Sequence, residues 1–207
     1  MQGIMDVRSV VLEGPRARLE PLAREHHAAL CEIGLDPELW TWTVSDVRTR
    51  PAMMAWIDDA LRVRNAGYGL PFVIRDLESG RIAGSTRFGN IDRLNRRVEI
   101  GWTWIGREFQ RTPLNTECKY LLLEHAFGQL GCIRVELKTD VLNERSRAAI
   151  ARLGAVEEGV LRRHAITATG RVRDTIYYSV IAEEWPSVRA RLEAMLARPW
   201  PPERPQR

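Results

Sequence analysis

Apolar and polar residues alternate over 10–19, the period-2 pattern of a half-buried strand or hairpin, and Pro21 ends it. A helical spacing takes over at 24–35, where Leu30, Ile33 and Gly34 recur on one stripe, until Asp36-Pro37 breaks it. After an aromatic segment at 39–43, a second helix is predicted over 51–65, opened by Pro51 and carrying Met54, Ile57 and Leu61 on one face. Gly67 and Gly69 close it. Three strands follow at hairpin spacing: 71–76, then 81–88 beyond a Glu78-Ser79-Gly80 turn, then 98–105 beyond the polar loop 92–97. The period then becomes helical again. Tyr120, Leu121, Leu123, Glu124, Phe127 and Leu130 fit a helix over 113–130, with Gly131 as its stop. The remainder reads as a strand at 133–139, a helix at 144–153 ended by Gly154, strands at 155–164 and 173–181, and a helix at 183–197. Pro199, Pro201, Pro202 and Pro205 make 199–207 a disordered tail.

Helices interleaved with hairpin-spaced strands give one α+β domain over 1–198, built on a mixed, mostly antiparallel central sheet flanked by helices. A helix of crossover length intervenes between the strands at 98–105 and 133–139, so these two neighbours run parallel. A chain of 207 residues, 44% hydrophobic and 28% charged, is long enough to bury roughly 70% of its unfolded surface, which excludes disordered and fibrous classes. No run approaches the length of a membrane span and no apolar leader opens the chain, so a cytoplasmic protein without a membrane partner is expected. Cys31, Cys118 and Cys132 are odd in number and widely spaced, which implies free thiols and no metal. The four histidines show no ligand spacing. A net charge of +4 is too mild to imply nucleic acid. Its source is nearly all arginine, since Lys119 and Lys138 are the two lysines, and a planar guanidinium suits carboxylate and phosphate.

The crossover is where chemistry is expected, because a strand, a polar loop and a helix N-terminus together leave unpaired N–H groups facing solvent at the positive end of the helix dipole. The segment reads Phe109-Gln110-Arg111-Thr112-Pro113-Leu114-Asn115-Thr116-Glu117. A second segment, Asn143-Glu144-Arg145-Ser146-Arg147 running on to Leu153-Gly154-Ala155, follows the parallel strand and opens the next helix. The order of elements and these two segments resemble the GNAT superfamily of acetyl-CoA-dependent N-acetyltransferases, in its RimJ/RimL-like branch, over about residues 10–182.

That resemblance implies a GNAT fold and acetyl-CoA as cosubstrate. The family's Gln/Arg-x-x-Gly-x-Gly/Ala loop, whose N–H groups hold the coenzyme pyrophosphate, corresponds to Gln110-x-x-Pro113-x-Asn115 here, with both glycine positions changed. Pro113 removes one donor. With Thr112 as N-cap and Pro113 at the first helical position, the N–H groups of Leu114, Asn115 and Thr116 should be free, and Arg111 adds charge. An ordinary capped helix start is the competing reading.

The family's Asn-x-x-Ser…Gly-Phe segment is matched except that Ala155 replaces the Phe. The resemblance assigns Asn143 to the coenzyme arm and Ser146 to the thioester sulfur as general acid, while the residues alone allow Asn143 to be a simple N-cap. Attack on a thioester requires an uncharged amine and hence a base. Glu99, within the Glu-Ile-Gly that precedes the loop, corresponds to the family's base position; the alternative is a surface pair with Arg96 or Arg97. Glu117 is a weaker candidate, explained by the helix dipole. Trp40 and Trp42, two residues apart, can line a slot for the acceptor or pack in the core. The expected function is acetyl transfer to a primary amine, a protein N-terminus or a small amine, by direct attack in a ternary complex. A non-catalytic regulatory module with a degraded coenzyme site is the alternative. Members of this branch often form homodimers.

Overall fold

The computed structural model describes residues 5–200, so 201–207 of the expected tail lie outside the described residues. Its eight strands form a single sheet in the order β1-β2-β3-β4-β5-β6-β8-β7. The hairpin expected at the start is β1 (Leu12–Glu13) with β2 (Ala17–Pro21), and β2 pairs antiparallel with β3 (Leu70–Asp76). The meander continues through β4 (Ile82–Asp92) and β5 (Arg97–Ile105). β6 (Arg134–Asp140) lies parallel to β5, and β8 (Val172–Ile181) lies between β6 and β7 (Val156–Ile166).

Alternation along the strands sorts the core into two layers. Val73 and Trp104 face α1 (His27–Gly34) and α2 (Arg50–Asn65), where they meet Leu30, Met53 and Ile57. Phe72, Ile74, Val98 and Ile100 face the other way, against Leu122, Ile150 and Val188 of α3 (Leu114–Glu124), α4 (Glu144–Leu153) and α5 (Trp185–Leu196).

Three elements differ from the sequence reading. The first helix starts with a 3-10 turn at Arg24–His26 and becomes α-helical only at His27. The helix expected over 113–130 is α-helical to Glu124 and then widens into a π-helical turn, His125–Gln129, closed by the Leu130 N–H donating to the His125 carbonyl at 3.0 Å. The strand expected to stop at Phe88 runs on to Asp92, because a register shift between Gly89 and Asp92 lets the ladder resume and Asp92 closes the turn by accepting from the Asn95 N–H at 3.0 Å.

The feature that positions the site is a bulge in β5. Ser85 pairs with Trp104 but Arg87 pairs with Gly101, so β5 carries one extra residue there, and Trp102 sits at φ 49°. A bulky residue in the left-handed region stores roughly 1–3 kcal/mol. Its ring is held by the Arg87 guanidinium, 4.8 Å from the centroid, and by contact with Gly89, where a Cβ would come within 2.2 Å of the indole. Glycine at 89 is therefore what makes room for Trp102.

Candidate active site

β5 and β6 are paired over three residues only, Arg97–Glu99 against Arg134–Glu136. Beyond Glu99, β5 stays with β4 and β6 stays with β8, so the parallel pair opens into a wedge along Ile100–Ile105 on one side and Leu137–Asp140 on the other. A bulge increases local twist, and the one at Trp102 lies on the diverging arm. The wedge exposes strand-edge N–H and C=O groups that can receive an extended ligand.

Glu99 sits where the wedge closes and is 2% exposed. Its Oε2 accepts from Asn90 Nδ2 at 2.7 Å and meets Lys138 Nζ at 2.9 Å. Its Oε1 lies over Gly101, where a Cβ would approach to 2.8 Å, so the glycine of the Glu-Ile-Gly sequence clears space for the carboxylate. Glu99 is thus not in a surface pair with Arg96 or Arg97; Arg97 bonds instead to Asp92 and Glu136. The ammonium of Lys138 lies over the faces of Trp102 and Tyr177, 6.0 and 5.4 Å from their centroids. Burial alone would depress its pKa, but the Glu99 carboxylate and the Tyr177 hydroxyl hold it above the ordinary lysine value, so it stays charged at neutral pH.

Sequence reasoning missed Lys138, Trp102, Tyr177 and Asn90. For Lys138 a signal existed: Arg134, Glu136, Lys138 and Asp140 alternate along β6 and share one face. That face bears further charge. Asp140 is fully buried, accepts from the Leu142 N–H at 3.0 Å and pairs with Arg171. Arg171 also covers the ring of Trp42 at 5.4 Å, and Arg173 Nη1 donates to the Trp42 carbonyl at 3.4 Å. The loop after α1 is thereby fastened to the β7–β8 hairpin, and Trp42 comes to the rim of this face. Trp40 does not. It is 5% exposed, packed against Trp56 and Trp104 with centroids 6.2 and 5.6 Å away, and its Nε1 donates to the Gly34 carbonyl at 2.8 Å. The expectation that Trp40 lines the acceptor slot is corrected by this packing.

At the start of α3, the Thr112 hydroxyl accepts the Leu114 N–H at 3.2 Å, so this donor is not free as expected. Asn115 and Thr116 keep the first-turn N–H groups that have no intrahelical acceptor. Arg111 is exposed at φ 61°, and Asn115 Oδ1 is buried without a partner. The Thr116 hydroxyl, in contrast, accepts from Arg152 Nη2 at 2.9 Å. The Gln110 side chain acts as a strut rather than an open ligand: Nε2 donates to the Ile105 carbonyl at 2.7 Å and Oε1 accepts from Arg145. This strut ties the end of β5 to the first turn of α4. There Asn143 is the N-cap, its Oδ1 accepting the Ser146 N–H at 3.0 Å, and its NH2 is not used by the cap. Glu117 points away from the loop, taking the Arg16 N–H at 3.0 Å. The structure therefore gathers Glu99, the α3 start and the α4 start around one wedge, and leaves Trp40 and Glu117 outside it.

The profile of the acetyltransferase (GNAT) domain family matches residues 16–156. The chain belongs to this family. The GNAT domain is similar to a GCN5-related N-acetyltransferase from Brucella melitensis, with a TM-score of 0.85 and 32% identity over 92% of this chain and 87% of that one. It is also similar to Mycobacterium smegmatis RimJ, solved in complex with CoA-disulfide, at a TM-score of 0.75 and 29% identity over 90% of this chain and 93% of that one. A Bacillus subtilis (strain 168) protein provisionally named a ribosomal N-acetyltransferase, YdaF, is 37% identical over 109 residues. That alignment spans 53% of this GNAT domain chain and 58% of the relative. The resemblance to the RimJ/RimL-like branch stands on these relatives. Among the described residues no helix is long and apolar enough to cross a membrane, and no three metal-ligating side chains cluster.

Proposed function

We propose that this GNAT domain transfers the acetyl group of acetyl-CoA to a primary amine, with a protein N-terminus as the preferred acceptor class and the cytoplasm as its place of action. One observation carries the reading: a carboxylate, Glu99, lies buried at the closed end of a wedge whose open arms offer unpaired strand edges. The donor set at the start of α3 fits a pyrophosphate despite Pro113, because the Asn115 and Thr116 N–H groups remain and Arg111 supplies charge beside them. When bound, acetyl-CoA supplies the activated acyl group and a thiol leaving group. The protein's part is proton transfer. Glu99 Oε1, which carries none of the bonds that engage Oε2, accepts the proton from the acceptor ammonium directly or through one water, so the neutral amine can attack. Ser146 donates its hydroxyl proton to the departing sulfur and regains one from the attacking nitrogen, which sheds it as the amide forms, and Asn143 orients the pantetheine arm with the amide NH2 that its cap leaves over. Trp42 lines the acceptor approach. The preference for a protein acceptor is supported by the name of the B. subtilis relative, a ribosomal N-acetyltransferase.

Purified protein with acetyl-CoA and a panel of peptides and small amines, read by thiol release and product mass, tests this. Turnover on peptides is expected, with kcat lowered roughly 10²- to 10⁴-fold in Glu99→Gln and lowered in Ser146→Ala while coenzyme binding persists. Undiminished rates in both variants remove the assigned roles. The second reading, a non-catalytic module, draws on Pro113 and on the Thr112 hydroxyl taking the Leu114 N–H, and it predicts no acetyl-CoA binding at all.

A further inference from the structure

Beyond the wedge, a cavity of about 720 Å³ opens between the start of α3, the end of α4 and the C-terminal helix. Arg111, Arg152, Arg191 and Arg198 all line it, with Trp200 at one wall. Several other surface guanidinium groups, Arg75, Arg81, Arg107 and Arg134 among them, are held by carboxylates. Among the described residues none of the four cavity arginines has an acidic group within ion-pair distance, and Glu193, the acid of α5 itself, is taken up by Arg189 at 3.0 Å and by Tyr120. Two of the four are braced: Arg191 Nε donates to the Arg152 carbonyl at 2.9 Å, and Arg152 Nη2 donates to Thr116. Four like charges converging on one concavity repel one another, and an anion with more than one negative charge relieves that repulsion. The walls supplied by Arg191, Arg198 and Trp200 lie outside the segment matched by the family profile, 16–156.

We infer that α5 and the residues after it form a clamp for the phosphorylated nucleoside end of the coenzyme, with Arg191 and Arg198 gripping its ribose 3′-phosphate and Trp200 stacking on the purine. This rests on the acetyl-CoA reading above and adds a binding element to it. A dianionic phosphate takes paired N–H donors from guanidinium groups, and an indole face stacks on any base. Neither Arg191 nor Arg198 touches the wedge, so the clamp sets coenzyme affinity and not the rate of transfer.

The test is calorimetric titration of wild type, Arg191→Gln/Arg198→Gln and Trp200→Ala with acetyl-CoA, with acetyl-dephospho-CoA, and with adenosine 3′,5′-bisphosphate alone. Wild type is expected to prefer acetyl-CoA over the dephospho form by roughly 10- to 100-fold, the worth of charge-assisted hydrogen bonds. The double variant should lose that preference while binding the dephospho form within about twofold of wild type and keeping kcat at saturation. Trp200→Ala should weaken all three ligands and leave the preference unchanged. Circular dichroism and urea unfolding of the variants show that they are folded. An equal preference in wild type and double variant overturns the clamp, and the transfer reaction then stands without it. Adenosine bisphosphate bound by wild type and not by the double variant supports the clamp even if no acetyl transfer is found.

Discussion

Lys119 is the sharpest place to test whether the geometry has been read correctly. Its side chain runs from α3 into the core, is 6% exposed, and donates to Thr103 Oγ1 at 2.7 Å; Thr103 in turn shares a hydrogen bond of 2.8 Å with Thr86. No carboxylate reaches it among the described residues, and burial pulls its pKa down to about 8 from the ordinary 10.5. The unfolded chain keeps the ordinary value. Below pH 8 both states hold the proton and the cost of burying the charge is fully present. Between 8 and 10.5 the folded state has released a proton that the unfolded state still binds, so stability contributed at this site rises with pH. Each unit is worth about 1.4 kcal/mol, which makes the whole effect about 3 kcal/mol. Lys119→Met replaces the ammonium by an apolar chain of similar length and leaves Thr103 paired with Thr86. The advantage of the Met variant over wild type should therefore shrink by about 2–3 kcal/mol as urea unfolding is repeated from pH 7 to pH 10. Taking the difference between the two proteins cancels the other titrating groups. A difference that stays constant within about 0.5 kcal/mol would refute a buried, depressed lysine at this position.

Glu99→Gln leaves the Lys138 ammonium opposite a neutral amide and should cost about 1–3 kcal/mol in urea unfolding, part of which Lys138→Met should restore; a coupling below about 0.5 kcal/mol would mean that the pair does not form. Trp40→Ala should destabilise by about 3–5 kcal/mol through loss of a packed core ring, whereas Trp42→Ala should change stability by less than about 1 kcal/mol and raise the acceptor KM. The reverse ranking in thermal unfolding would show that the two rings have been assigned to the wrong places. Asn143→Ala should cost about 1 kcal/mol for the lost cap, and Asn143→Asp should recover it while failing to recover coenzyme affinity if the amide NH2 matters. Equal recovery of both would leave the residue with a capping role only.

The order of elements was legible in the chain because it depends on local chemistry. Period-2 and period-3.6 spacing, Pro51 at a helix start, and glycine stops at Gly131 and Gly154 fix where strands and helices lie before any long-range contact exists. The crossover length made β5 and β6 parallel for the same reason. The strand–loop–helix pattern by itself marked the α3 start, whereas Glu99 and the Asn143–Ser146 turn were marked only through the family resemblance of their short contiguous motifs. Tertiary structure decided the rest. No spacing reveals that β5 carries an extra residue at Trp102, that β5 then leaves β6 after three paired residues, or that Lys138 crosses to Glu99, because these follow from how strands meet. Trp40 and Trp42 are alike in sequence and differ only in what packs on them, one buried by Trp56 and Trp104 and the other covered by Arg171. The arginine cavity is likewise a product of distance: its residues are spread from 111 to 200 and become neighbours only when α5 folds back against α3 and α4.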